Sequence, residues 1–76
     1  MPMVRPGQVI RIEEEDYAYG VGALTLRVTG LAPHDDPAWI RVTGVEIHWT
    51  GGDGPRREVL VRSSAQVSSA ADRAGP

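Results

Sequence analysis

From Ala23 to Gly30 apolar and polar side chains alternate one for one, Leu24, Leu26 and Val28 against Thr25, Arg27 and Thr29. A period of two is satisfied by a strand with one buried face, whereas a helix would place Leu24 and Leu26 on opposite sides. Three further segments share this chemistry: Gln8 to Glu13, Trp39 to Thr50 and Arg56 to Arg62 are rich in Val, Ile, Leu and Thr and are bounded by Gly, Pro and Asp. The expected fold class is therefore all-β.

In the first segment Ile10 and Ile12 share a face opposite Arg11 and Glu13. The third is too long for one straight strand, and its phase changes between Ile40-Val42 and Val45-Ile47-Trp49 with Gly44 at the change, which predicts a β-bulge there. The loop Gly51-Gly52-Asp53-Gly54-Pro55 then reads as the turn of a hairpin leading into the fourth strand. Ser63-Ser64-Ala65 reads as a tight turn before a short fifth strand around Val67. The predicted core is Ile10, Ile12, Leu24, Leu26, Val28, Ile40, Val42, Val45, Ile47, Val59, Val61 and Val67. Residues 1–67 are expected to form one domain, and residues 68–76, small and polar, a disordered tail.

A chain of 76 residues sits near the size at which a single core only just outweighs chain entropy. With no Cys, neither a disulfide nor a thiolate metal site supplies extra stability, so a homodimer is one expected source of further burial. No apolar run approaches the roughly 18 residues that span a bilayer, and Met1 to Gly7 lacks the features of a signal peptide. The expected location is the cytoplasm, with no membrane association. A formal net charge of −2 provides no global attraction to nucleic acid. All eight basic residues are Arg, a bias that weakens any inference from Arg in place of Lys.

The order of strand, long acidic loop, strand, polar loop, strand, tight hairpin, strand, single turn and short strand resembles the SH3-like barrel over about Pro6 to Val67. Pro6-Gly7-Gln8-Val9-Ile10 is similar to the opening strand of small barrels, and Asp35-Asp36-Pro37-Ala38-Trp39 is similar to the acidic loop and Trp that open the third strand of SH3 domains. The resemblance implies a small five-stranded antiparallel barrel and a peptide groove to which Tyr17, Tyr19 and Trp39 would contribute. It departs at the final turn, where Arg62 to Ala65 stands in place of the Pro and Tyr of that family. The stretches Asp16-Tyr17-Ala18-Tyr19-Gly20-Val21-Gly22 and Val45-Glu46-Ile47 also resemble short uncharacterised actinobacterial proteins, a likeness that implies no activity.

The most pointed site signal is the run Glu13-Glu14-Glu15-Asp16 leading into Tyr17 and Tyr19 on a Gly-flanked loop. Carboxylates beside aromatic faces hold a guanidinium or an amine by charge and cation–π contact. The competing reading is a solvated loop whose Tyr rings cap the core. The expected partner-binding residues are Glu14, Glu15, Asp16, Tyr17, Tyr19 and Trp39. A second surface comes from the repeated pattern Leu26-Arg27-Val28-Thr29-Gly30 and Ile40-Arg41-Val42-Thr43-Gly44, which crosses Arg against Thr on the outer face and gathers Arg11, Arg27 and Arg41 into an anion-contacting patch. Neutralisation of that face by Glu46 and Glu58 is the blander alternative, and it is favoured by the acidic balance.

His34 and His48 lie on separate elements, without the three or four convergent ligands of a metal site. Ser63 and Ser64 lack a triad order, and the Gly51 to Gly54 loop lacks the Lys and following helix of a phosphate cradle. Trp39 and Trp49 read as plugs of the core, with the proviso that an exposed indole marks an interface. The sequence therefore predicts a non-catalytic protein-interaction module or accessory subunit, without metal or cofactor, that docks through its acidic, aromatic loop. The alternative is a small nucleic-acid-binding barrel using Arg11, Arg27 and Arg41.

Overall fold

The computed structural model describes residues 4–69. Its elements in chain order are β1 (Val9–Ile12), a short 3-10 helix (Glu14–Asp16), β2 (Leu24–Pro33), β3 (Trp39–Ile47), β4 (Asp53–Arg62) and β5 (Ser68–Ser69). All strands pair antiparallel in one sheet with the order β4-β3-β2-β1-β5. The protein is all-β, as the alternation of residues 23–30 requires.

Four strands carry this sheet, and β5 adds two residues beside Ile10 and Arg11. Among the described residues the expected closed five-stranded barrel does not form: the order is linear and β4 is not paired with β5, so the sheet is open. The two described residues of β5 do not reach round to β4. The tail predicted for residues 68–76 is corrected at its start, since Ser68 and Ser69 pair with β1; residues 70–76 and residues 1–3 lie outside the described residues.

Local chemistry explains where the strands begin and turn. Pro6 and Gly7 occupy the centre of a tight turn closed by the Gln8 amide donating to the Arg5 carbonyl at 3.1 Å, with Gly7 at φ 91°, a pairing of Pro and Gly that suits a type II turn. Between β2 and β3 the Asp36 carboxylate accepts from the Ala38 amide at 2.9 Å and its carbonyl accepts from the Trp39 amide at 3.1 Å, so Asp36-Pro37 makes the turn into β3.

The hairpin between β3 and β4 turns earlier than the glycine-rich loop suggests. Gly51 donates to the His48 carbonyl at 2.8 Å, and His48 donates to the Gly52 carbonyl at 2.9 Å. With Gly51 at φ 92°, Trp49, Thr50 and Gly51 form a three-residue loop ending in a left-handed glycine. Asp53 to Pro55 is thereby absorbed into β4, and the register slips between Val45 and Ile47, where two residue steps on β3 face three on β4. Pro55 sits within this irregularity, where its missing N–H costs no regular ladder bond.

The predicted bulge at Gly44 is displaced to the neighbouring strand. β3 keeps one phase throughout, and the slip falls on β2 between Val28 and Gly30, leaving Thr29 as the extra residue opposite Gly44 and Thr43. Gly44 takes a different role. A Cβ there would collide with the Arg27 carbonyl oxygen and lie 2.8 Å from Leu26 Cγ, so glycine is what lets β2 and β3 approach at the bend. Because the phase of β3 does not change, Val45 and Ile47 face away from the core, Val45 being the cross-strand partner of Arg27 and Arg56.

The buried core comprises Val4, Ile10, Ile12, Tyr17, Leu24, Leu26, Val28, Val42, Val59, Val61 and Ala65, with Ile40 and Val67 packed against it. Val4, Tyr17 and Ala65 enter from outside the predicted strands. The open side of the sheet is covered by the segment 13–23, which crosses from the end of β1 to the far edge: Tyr17 bridges Val61, and the Ala18 amide donates to the Leu60 carbonyl at 2.9 Å.

Candidate functional site

Segment 13–23 is a braced loop. The Tyr17 ring is 7% exposed, and its hydroxyl donates to the Gly22 carbonyl at 2.7 Å while accepting from the Val21 amide at 3.3 Å. The Glu14 carboxylate accepts from the Gly22 amide at 3.0 Å. Gly20 lies against the Glu14 carbonyl so closely that any Cβ would collide with it. These contacts tie the returning limb of the loop to the outgoing one and hold Tyr19 at its tip.

Tyr19 is fully exposed at 100% and adopts φ 60°, the one left-handed non-glycine residue among those described. Such a conformation costs about 1–2 kcal/mol for an L-residue with a Cβ. Val21 stands beside it in sequence at 89% exposure. The two tyrosines of the loop thus divide their roles: Tyr17 belongs to the core and positions the loop, and Tyr19 faces solvent.

The loop meets the turn before β3 at one point on β4. Arg62 donates from Nε to the Glu15 carbonyl at 3.1 Å, and its guanidinium lies 5.0 Å from the centroid of the Trp39 ring. This cation–π contact follows from the register, in which Trp39 and Arg62 are cross-strand partners. The adjacent Ser63 donates from its hydroxyl to the Pro37 carbonyl at 2.6 Å and from its amide to the Ala38 carbonyl at 2.7 Å. Glu15, Arg62, Trp39 and Pro37 therefore form one connected end of the molecule, with Trp39 half-buried.

Charge is distributed unevenly around this end. Four ion pairs take up Glu13 with Arg11, Asp53 with Arg27, Glu58 with Arg41 and Glu46 with Arg57. The other described carboxylates, Glu14, Glu15, Asp16, Asp35 and Asp36, have no Arg partner, and all of them lie on the two loops joined through Arg62 and Ser63.

The predicted Arg patch is divided: Arg11 and Arg27 are diagonal neighbours on the paired strands β1 and β2, and Arg41 lies apart from them. Arg27 stands opposite Val9 and Val45, whereas Arg41 stands opposite Ala32 and Leu60. Four residues of β3 separate the two positions, about 13 Å along a strand. Only Arg11 crosses a Thr, Thr25. Each of the three has a carboxylate neighbour, Glu13 at 2.9 Å, Asp53 at 3.1 Å and Glu58 at 4.0 Å respectively.

Among the described residues no three His, Asp or Glu side chains come together as metal ligands. His34 Nδ1 is buried without a hydrogen-bond partner. Trp49 departs most from expectation. It occupies the hairpin turn, is 96% exposed and plugs nothing. It borders a shallow cleft of about 370 Å³ shared with Arg11, Leu24, Thr25, Glu46 and His48. The signal in the sequence was Gly51, which can end a three-residue hairpin loop beginning at Trp49.

Comparison with known proteins finds no matching family model, no matching curated protein and no matching solved structure.

Proposed function

We propose that the protein is a non-catalytic interaction module that binds an extended, cationic segment of a partner protein across the end formed by Tyr19, Glu15, Asp16 and Trp39. The observation that carries this reading is Tyr19: an aromatic side chain fully in water, on a loop braced by Tyr17, Glu14 and Gly20, in a backbone conformation that disfavours it. Strain retained at an exposed aromatic is understandable where that side chain has a use in binding. The carboxylates without Arg partners supply the complementary charge. Arg62 over Trp39 gives an internal example of how a guanidinium is accommodated there.

The strand order also supports reading the fold as an opened relative of the SH3-like barrel. The meander of β2, β3 and β4, with β1 between β2 and β5 and a long loop crossing to β4, is the arrangement such a relationship predicts. Peptide binding between the long loop and the turn before β3 is consistent with it.

The test is titration of isotope-labelled protein with an Arg-rich peptide, a charge-reversed peptide and a short oligonucleotide. Binding of the Arg-rich peptide alone, with resonance shifts centred on Tyr19, Val21 and the Trp39 indole, is the expected result. Shifts confined to Arg11, Arg27 and Arg41 on adding the oligonucleotide would instead establish the nucleic-acid reading.

A further inference from the structure

Strand β4 is the outermost strand on one side of the sheet, and its free edge is covered over only part of its length. Near its C-terminal end Tyr17 bridges Val61 and the Ala18 amide donates to the Leu60 carbonyl. That bond sets the direction of the main-chain groups. The Leu60 carbonyl points away from β3, and because direction alternates along a strand, Glu58 and Arg56 also turn their N–H and C=O groups outward. Arg57 and Val59 turn theirs toward Gly44 and Val42 of β3. Among the described residues no main-chain hydrogen bond reaches Arg56 or Glu58 from the open side.

We propose that this edge is self-complementary and that a second copy of the chain adds to it, β4 against β4, antiparallel about a two-fold axis at Arg57. Geometry selects the register. Opposed residues in an antiparallel pair share a face and direct their main-chain groups either both toward or both away from each other, so the axis must fall on a residue and not between two; an axis at Arg56 or at Glu58 would set that charge directly against its own copy. An axis at Val59 would need Leu60, whose carbonyl is taken by Ala18. An axis at Pro55 would leave Glu58 unpaired. Arg57 remains.

In this register Arg56 stands opposite Glu58 of the second copy, and Glu58 opposite its Arg56. Each copy gives the amides and carbonyls of these two residues to the new ladder, and two Arg–Glu pairs form across it. The charges suit this use. Arg56 has no carboxylate partner among the described residues, and Glu58 reaches Arg41 at 4.0 Å, the longest of the four ion pairs. On the other face Pro55 meets Val59 of the second copy. The two Arg57 side chains meet at the axis, and each is already neutralised by its own Glu46 at 2.6 Å.

Charges on an edge strand ordinarily discourage pairing. Opposite charges placed symmetrically about Arg57 discourage most partners but favour a second copy in this one register. The isologous contact closes on itself and does not propagate.

Sedimentation equilibrium over a concentration series tests the proposal. The native chain should show a concentration-dependent dimer. R56E alone and E58R alone should each weaken self-association at least tenfold, as like charges come to face each other. An equimolar mixture of the two variants should associate again, because the R56E chain carries acids at both positions and the E58R chain carries bases at both, so opposite charges face each other across the mixed pair. The double variant R56E/E58R should recover the native affinity. Both native side chains are exposed, and circular dichroism verifies that the variants remain folded. Amide exchange provides a second readout: exchange at Arg56 and Glu58 should slow with rising concentration, while the Arg57 amide, directed at β3, should be protected throughout. A chain that remains monomeric at every concentration, or a dimer indifferent to both reversals, overturns the proposal.

Discussion

The Tyr17 hydroxyl donates to the Gly22 carbonyl at 2.7 Å and accepts from the Val21 amide at 3.3 Å, so one buried side chain spans the base of the loop whose tip is Tyr19. Removing that oxygen while keeping the ring leaves the Gly22 carbonyl and the Val21 amide without their partner. Y17F should lower stability by about 1–2 kcal/mol, measured by urea unfolding. Because core packing of the ring is retained, faster amide exchange at Val21 and Gly22 should accompany the loss, and unchanged exchange there would show that the hydroxyl does not brace the loop.

Tyr19 should show the opposite relation between stability and binding. Glycine at this position removes a left-handed conformation costing about 1–2 kcal/mol and gives back about 0.4–1 kcal/mol through the unfolded chain. Y19G is therefore expected to be as stable as the native protein or up to about 1.6 kcal/mol more stable. Its affinity for an Arg-rich peptide should fall at least tenfold. Equal affinity in the glycine variant would remove Tyr19 from the binding surface.

Gly44 is a close approach with no room for a methyl group, since a Cβ there would meet the Arg27 carbonyl and Leu26 Cγ. G44A should destabilise the fold by about 2–3 kcal/mol, the upper part of the range for overpacking. In a domain of this size the loss should be plain in thermal unfolding. A neutral effect would mean that the bend between β2 and β3 relaxes without cost.

Trp49, at 96% exposure, contributes little to the core. W49A should change stability by no more than about 0.5 kcal/mol. It should also abolish the component of tryptophan emission that is most red-shifted and most readily quenched by iodide, leaving the half-buried Trp39 signal. A large loss of stability would show that the hairpin turn depends on the indole.

The sequence by itself determined the fold class, most of the core and where the acidic, aromatic loop falls in the chain. Alternation of Leu24, Leu26 and Val28, and the pair Ile10 and Ile12, are local signals, because a strand exposes its two faces residue by residue whatever it pairs with. The clustering of acids and tyrosines between β1 and β2 was equally legible. Only the tertiary structure decided what depends on partners distant in the chain. Thr29 took the bulge assigned to Gly44 because two strands share a register and either one can absorb the extra residue. Val45 and Ile47 went to the outer face for the same reason. Long-range bridging to Val61 drew Tyr17 into the core and left Tyr19 in water, although the two are nearly adjacent in a single motif. Among the described residues the short β5 leaves the sheet open, and with it a stretch of β4 that has no main-chain partner on its outer side, a relation that arises only once strand order and hydrogen-bond direction are set.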